Sequence, residues 1–165
     1  MKKDKKNEIL DYLIIIIVVI LIRTFIFTPI KVEQNSMNPT LNSNDIMILN
    51  KIGYKVGGLN RFDIVVIKHN GDYLIKRVIG LPNETIEYKN NKLYINGKET
   101  KENFEKKVTE DFKLDNPIPE NNYFLIGDNR SNSIDSRIFG TINKKDILGK
   151  TNFVLFPIER FGFIK

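Results

Sequence analysis

Ser36 and Lys76 are the residues of this chain whose types and surroundings best suit nucleophilic attack on a carbonyl. A serine hydroxyl is a weak nucleophile at its own pKa and needs a base within hydrogen-bond reach to take its proton. The sequence offers two nitrogen bases. His69, the only histidine, stands directly before Asn70-Gly71, a hairpin dipeptide whose tip is ordinarily solvated. Lys76 stands in the run Ile75-Lys76-Arg77-Val78-Ile79. Alternate side chains of a strand share a face, so Lys76 projects with Leu74 and Val78. Such an apolar flank desolvates the ammonium, and burial lowers a lysine pKa by up to about 3 to 5 units from roughly 10.4. A lysine so placed is neutral near physiological pH and accepts a proton. Taken singly, each residue also has an ordinary reading: Ser36 as a serine in a polar turn, and Lys76 as an exposed strand residue of a basic protein.

A third block, Gly127-Asp128-Asn129-Arg130-Ser131-Asn132-Ser133-Ile134-Asp135-Ser136-Arg137, alternates carboxylate, amide, hydroxyl and guanidinium groups. By itself it reads as a turn with solvated arginines. The serine block Ser36-Met37-Asn38-Pro39 departs from the Ser-x-x-Lys spacing of penicillin-binding enzymes, because Pro39 stands where their lysine would. The three blocks in this order, over almost the whole chain, resemble the bacterial type I signal peptidases of peptidase family S26. The resemblance implies a membrane-bound serine endopeptidase that removes signal peptides from exported preproteins without a metal or other cofactor. It matches Ser36 to the nucleophile, Lys76 to the general base and Ser133 to the hydroxyl that orients the lysine. Met37, Pro39, Arg77, Asp128, Arg130, Asp135 and Arg137 fall on positions that support the site, with ionic pairs stiffening the loop that carries Ser133. The Ser36 N–H serves as one oxyanion donor, and Gln34, where the family commonly has Ser or Gly, offers its amide as another. Asn83-Glu84 replaces the usual Gly-Asp, and asparagine tolerates the left-handed backbone such a turn needs. A competing reading is a signal-peptidase-like factor that binds preproteins in pilus assembly without cutting them.

The elements that must position these residues begin with an apolar stretch. Residues 9–30 read as one transmembrane helix, since about 20 apolar residues span a hydrocarbon core of roughly 30 Å. Lys2, Lys3, Lys5 and Lys6 precede it, which places residues 1–8 in the cytoplasm and residues 31–165 outside the bacterial cytoplasmic membrane, in a single pass. A removable leader fits less well, because no small-residue cleavage site follows and the chain exits through Phe25-Ile26-Phe27-Thr28-Pro29. Pro29 is expected to end the helix. Beyond it, β-rich runs at residues 46–49, 63–68, 73–79, 85–88, 92–95, 123–126 and 147–156 predict a mainly β fold. By resemblance this is an antiparallel, coiled β-sheet catalytic domain with a small β insertion near residues 83–122. Residues 99–122, charged and punctuated by Pro117 and Pro119, read as a loop or cap. The Phe153 to Ile164 tail is rich in aromatics, either as an ordinary last strand or as a face resting on the bilayer. With no cysteine, thiol chemistry and disulfides are excluded. The net charge of +6 is carried by scattered lysines, which favours phospholipid head groups over nucleic acid as the partner.

Overall fold

The computed structural model describes residues 5–164, with side chains from residue 8 onward. Lys2 and Lys3 lie outside the described residues, and Lys5 and Lys6 are described by their backbone alone. Chain order runs through helix α1 (Lys5–Phe25), β1 (Phe27–Lys31), β2 (Ile46–Asn50), a short helix α2 (Gly53–Gly57), β3 (Ile64–His69) and β4 (Asp72–Gly80). Then come β5 (Ile86–Lys89), β6 (Lys92–Ile95), β7 (Lys98–Thr100), β8 (Phe112–Lys113), β9 (Asn122–Ile126), α3 (Ser136–Phe139) and β10 (Ile142–Asn143). The last elements are β11 (Ile147–Thr151), β12 (Phe153–Phe156) and β13 (Gly162–Phe163). The mainly antiparallel β expectation holds.

Among the described residues nine strands form one sheet in the order β10-β9-β4-β3-β11-β2-β12-β13, with β1 added on β2. Its centre is the β3–β4 hairpin. Asn70 and Gly71 close it with φ of 51° and 93°, the positive angles that a tight turn between twisted strands requires. The turn fixes the register, Ile67 facing Leu74 and Val65 facing Lys76. On one side of the hairpin Val65, Ile67, Leu74, Val78 and Leu125 bury a common cluster. On the other, Val32, Met37, Leu41, Met47, Ile64 and Val154 bury a second.

A four-stranded sheet, β7-β6-β5-β8, stands beside the first. Its turns at Asn90-Asn91 and Asn96-Gly97 again use positive φ. Ile86, Tyr88, Leu93 and Ile95 of this sheet share a core with Ile79, Phe124 and Ile126 of β4 and β9, so the two sheets are packed as one body. The charged stretch after β7 returns Phe104 to the main sheet, with its ring 5.3 Å from Phe62.

The expectation of a transmembrane helix over residues 9–30 needs correction. Among the described residues no helix is long and apolar enough to cross a membrane, since Glu8, Asp11 and Arg23 interrupt α1. Nor does Pro29 end it. The helix stops at Phe25, and residues 27–31 are drawn into a ladder with β2, from Phe27 opposite Asn50 to Lys31 opposite Ile46. Pro29 is tolerated there because β1 pairs on one side only, leaving the missing N–H on the free edge. The tail likewise divides, β12 and β13 forming a hairpin in which Phe153 meets Phe161 and Phe163 edge-on.

Candidate active site

Lys76 sits in the middle of β4, 1% exposed, opposite Val65 and on the same face as Leu74 and Val78. Burial among these side chains pushes its pKa down from 10.5 to about 8. The Asp135 carboxylate opposes this shift and the Arg137 guanidinium adds to it. A substantial fraction of this amine is therefore neutral at mildly alkaline pH. His69 has no comparable setting. It lies at the far end of β3, four residues from Val65 or roughly 13 Å along the strand, with its ring on Phe139 at 4.3 Å between centroids.

Ser36 lies on the loop after β1. The Val32 N–H donates to the Asp45 carbonyl and the Asn44 N–H to the Val32 carbonyl, which closes the loop at its base. Met37, 1% exposed, plugs the adjoining core, while Ser36 keeps partial access at 8%. The loop is pinned from the turn after β9: the Asn129 N–H donates to the Ser36 carbonyl at 3.0 Å, and Asn129 Nδ2 to the Asn35 carbonyl at 3.0 Å. Gly127, one residue beyond the Arg77–Ile126 pair, stands at the crossing point. A Cβ there would lie 2.3 Å from Ser133 Oγ and 2.4 Å from the Ser36 carbonyl oxygen, so only glycine fits. Gly127 thus places the Ser36 loop and Ser133 together at the end of the ladder that carries Lys76. Among the described residues no hydrogen bond joins Ser36 to Lys76, and Ser133 Oγ is buried without a well-formed one. Gln34 is exposed on the rim beside Ser36.

The charged residues of the turn block are indeed paired, but largely with other segments. Asp128, fully buried, accepts from Arg77 Nε at 2.9 Å, from Arg77 Nη2 at 2.7 Å and from Thr40 Oγ1 at 2.5 Å. The Arg77 guanidinium also lies 3.9 Å from the centre of the Phe104 ring. Arg130 donates to Glu102 at 2.7 Å, to the Tyr88 hydroxyl at 2.9 Å and to Thr109 at 2.6 Å, all from the smaller sheet and its loop. Only Asp135 and Arg137 pair within the block, at 2.8 and 2.9 Å. Burial pushes the Asp135 carboxyl up. Hydrogen bonds from Arg137 and the Gly127 N–H, with the Arg137 charge, outweigh it and hold the group below its usual range. The supports that sequence reading missed are Thr40, Tyr88, Glu102, Phe104 and Thr109. Nothing in their local patterns marks them, since each is joined to the site by tertiary contact alone. The Asn83 substitution is accommodated as expected: its φ is 67°, and Glu84 caps the turn at the Leu81 N–H.

A groove of about 840 Å³ opens beside Ser36. Val32, Met37, Leu49, Val66 and Ile75 line it with apolar surface, and it runs from Ser36 to Thr24 and Phe25 at the end of α1. β1, with one edge unpaired, forms a wall against which an extended peptide can add as a strand.

A profile of the family described as signal peptidase, peptidase S26, matches residues 6–156. The chain is 42% identical to signal peptidase I P of Bacillus subtilis subsp. natto, an alignment covering 99% of this chain and 98% of that protein. It is 38% identical to signal peptidase I of Bacillus caldolyticus, covering 98% and 97%. Among solved structures, a signal peptidase I from Enterococcus faecalis V583 matches with a TM-score of 0.52 at 37% identity, covering 56% of this chain and 95% of that one.

Proposed function

Because the chain belongs to the signal peptidase family, peptidase S26, and is a serine peptidase of that family, we propose that Ser36 and Lys76 are its catalytic pair and that its substrates are secreted preproteins. The observation that carries the assignment is the buried Lys76, its pKa brought down to about 8, at the end of the ladder where Gly127 gathers Ser36 and Ser133. Neutral Lys76 takes the Ser36 proton as Oγ attacks the scissile carbonyl, then returns it to the leaving amine. The acyl-enzyme is hydrolysed by water that Lys76 deprotonates in turn. Ser133 positions the lysine, and the Ser36 N–H, with the Gln34 amide, receives the oxyanion. The signal-peptide segment binds in the groove as a strand added to β1.

The chain acts at the extracytoplasmic face of the membrane, with α1 as its attachment. Leu13 to Ile22 are exposed around the whole helix, an arrangement suited to lipid. The uncharged stretch from Tyr12 to Ile22 covers about 16 Å at 1.5 Å per residue, about half of a hydrocarbon core, so α1 attaches through its apolar surface rather than by a full crossing. The deciding experiment is incubation of the detergent-solubilised chain with a preprotein, followed by N-terminal sequencing of the product. Cleavage at the signal-peptide junction by the parent, abolished in Ser36→Ala and in Lys76→Ala while both remain folded, is expected. An uncut preprotein, or full activity in either variant, overturns the assignment.

A further inference from the structure

We propose that the groove leading to Ser36 reads charge as well as shape, and that it favours signal peptides with carboxylate side chains in the short polar segment ahead of the cleaved bond; this rests on the peptidase reading above. Four lysines and one acid, Glu33, line the groove. Lys51 stands at its α1 end, where its Nζ donates to the Thr24 carbonyl at 3.1 Å and its N–H to the Ile26 carbonyl at 2.9 Å. Lys55 follows on α2. Lys31 closes the other end of β1, next to Glu33 and the Ser36 loop. Lys68 projects from the facing wall, paired in register with Tyr73.

None of the four is in an ion pair with the described residues, whereas Asp45, Asp63, Glu84, Glu102, Asp128 and Asp135 each take a cation elsewhere. Among the described residues Glu33 is the one acid lining this rim, which keeps a net positive charge. A peptide passing from the α1 end to Ser36 follows the five residues of β1, about 17 Å at 3.3 Å per residue. The apolar part of a signal peptide enters beside α1, so its last polar residues before the scissile bond pass between these lysines. Carboxylates there gain attraction, and lysine or arginine is repelled by the same rim.

The test uses the full-length Ser36→Ala chain in phosphatidylcholine nanodiscs and labelled signal peptides with Glu, Gln or Lys at the fourth and fifth positions before the scissile bond. Binding is expected to weaken in the order Glu, Gln, Lys, by roughly threefold to tenfold per step, as suits partly exposed ion pairs. At about 1 M salt, where the screening length is near 3 Å, the three affinities should converge. Lys55→Gln combined with Lys68→Gln should narrow the span between the Glu and Lys peptides by at least about threefold. Equal affinities for the three peptides overturn the proposal. So does an order that survives both salt and the double variant, or binding that responds only to phosphatidylglycerol in place of phosphatidylcholine. Cleavage of the Gln peptide by the parent chain is measured separately. Its absence would strike the peptidase reading, while the order of affinities still decides the charge preference.

Discussion

Lys76 carries the most exposed consequence of the proposed chemistry, because its role depends on the proton it lacks. Its folded pKa is lowered to about 8, and below that value the ammonium cannot accept the Ser36 proton. Activity, measured as kcat/KM in the free enzyme, should rise with pH and level off above about 8. Leu74→Asn and Val78→Asn place a polar group on the packed face of the lysine and should move the limb upward, toward the ~10.4 of a solvated amine. A limb that stays in place in both folded variants would remove desolvation as the activating cause. Gly127 allows a second test. Gly127→Ala puts a methyl against the Ser36 carbonyl and Ser133 Oγ, and we expect kcat to fall by about 100-fold, the cost of displacing a nucleophile by an ångström. Adding Ser133→Ala should recover little, since the clash with the Ser36 backbone remains. At this scale the sequence was legible where chemistry is local: the parity of Lys76 with Leu74 and Val78 follows from strand geometry, and Asn83 from its tolerance of positive φ. The close approach at Gly127 was not, because a glycine in a Gly-Asp-Asn turn reads as a turn residue and the atoms it must admit come from distant parts of the chain.

Between elements, the ion pair of Arg77 on β4 with Asp128 after β9 is buried on both sides, at 1% and 0% exposure. Asp128→Ala leaves a guanidinium in the interior with its principal partner removed, a change that typically costs about 3 to 5 kcal/mol. Chemical denaturation should show this loss, and the variant should be far less stable than the exposed-pair variant Lys92→Ala, whose bond to Glu99 lies in solvent. A difference within error would mean that the pair does not hold β4 to the turn. The hairpins were readable from Asn-Gly dipeptides because their geometry is decided by two residues. The clamp of Arg130 on Glu102, Tyr88 and Thr109 was not, because it joins positions 21 to 42 residues apart and the charged stretch that supplies Glu102 has no period to betray it. The end of α1 was misplaced for a related reason: apolar residues continue through Ile30, but β2 offers residues 27–31 a ladder, and hydropathy cannot distinguish an exposed helix from an edge strand.

For the molecule as a whole, the proposed attachment through α1 with the sheet outside predicts that protease added to intact protoplasts degrades the β body and leaves a small membrane-held fragment. Full protection, with membrane integrity verified, would reverse the orientation and the route by which substrate reaches the groove. The exposed Phe156, Phe161 and Phe163 belong to the same β body. Its overall β character was written in alternation and turn residues, whereas the order of its strands was not, since β4 meets β9 and β3 meets β11 only through pairings made across the chain. The Ser36 loop shows where that ordering leads. Its carbonyl is held by Asn129, and the Thr40 carbonyl a few residues on accepts from Arg160, 120 positions away. A ribosome has therefore made the proposed nucleophile and base long before the groups that would aim them exist, and contacts of such sequence separation form late. Until those late contacts close, the proposed catalytic pair is present but not aimed, so an incomplete chain is expected to be inactive.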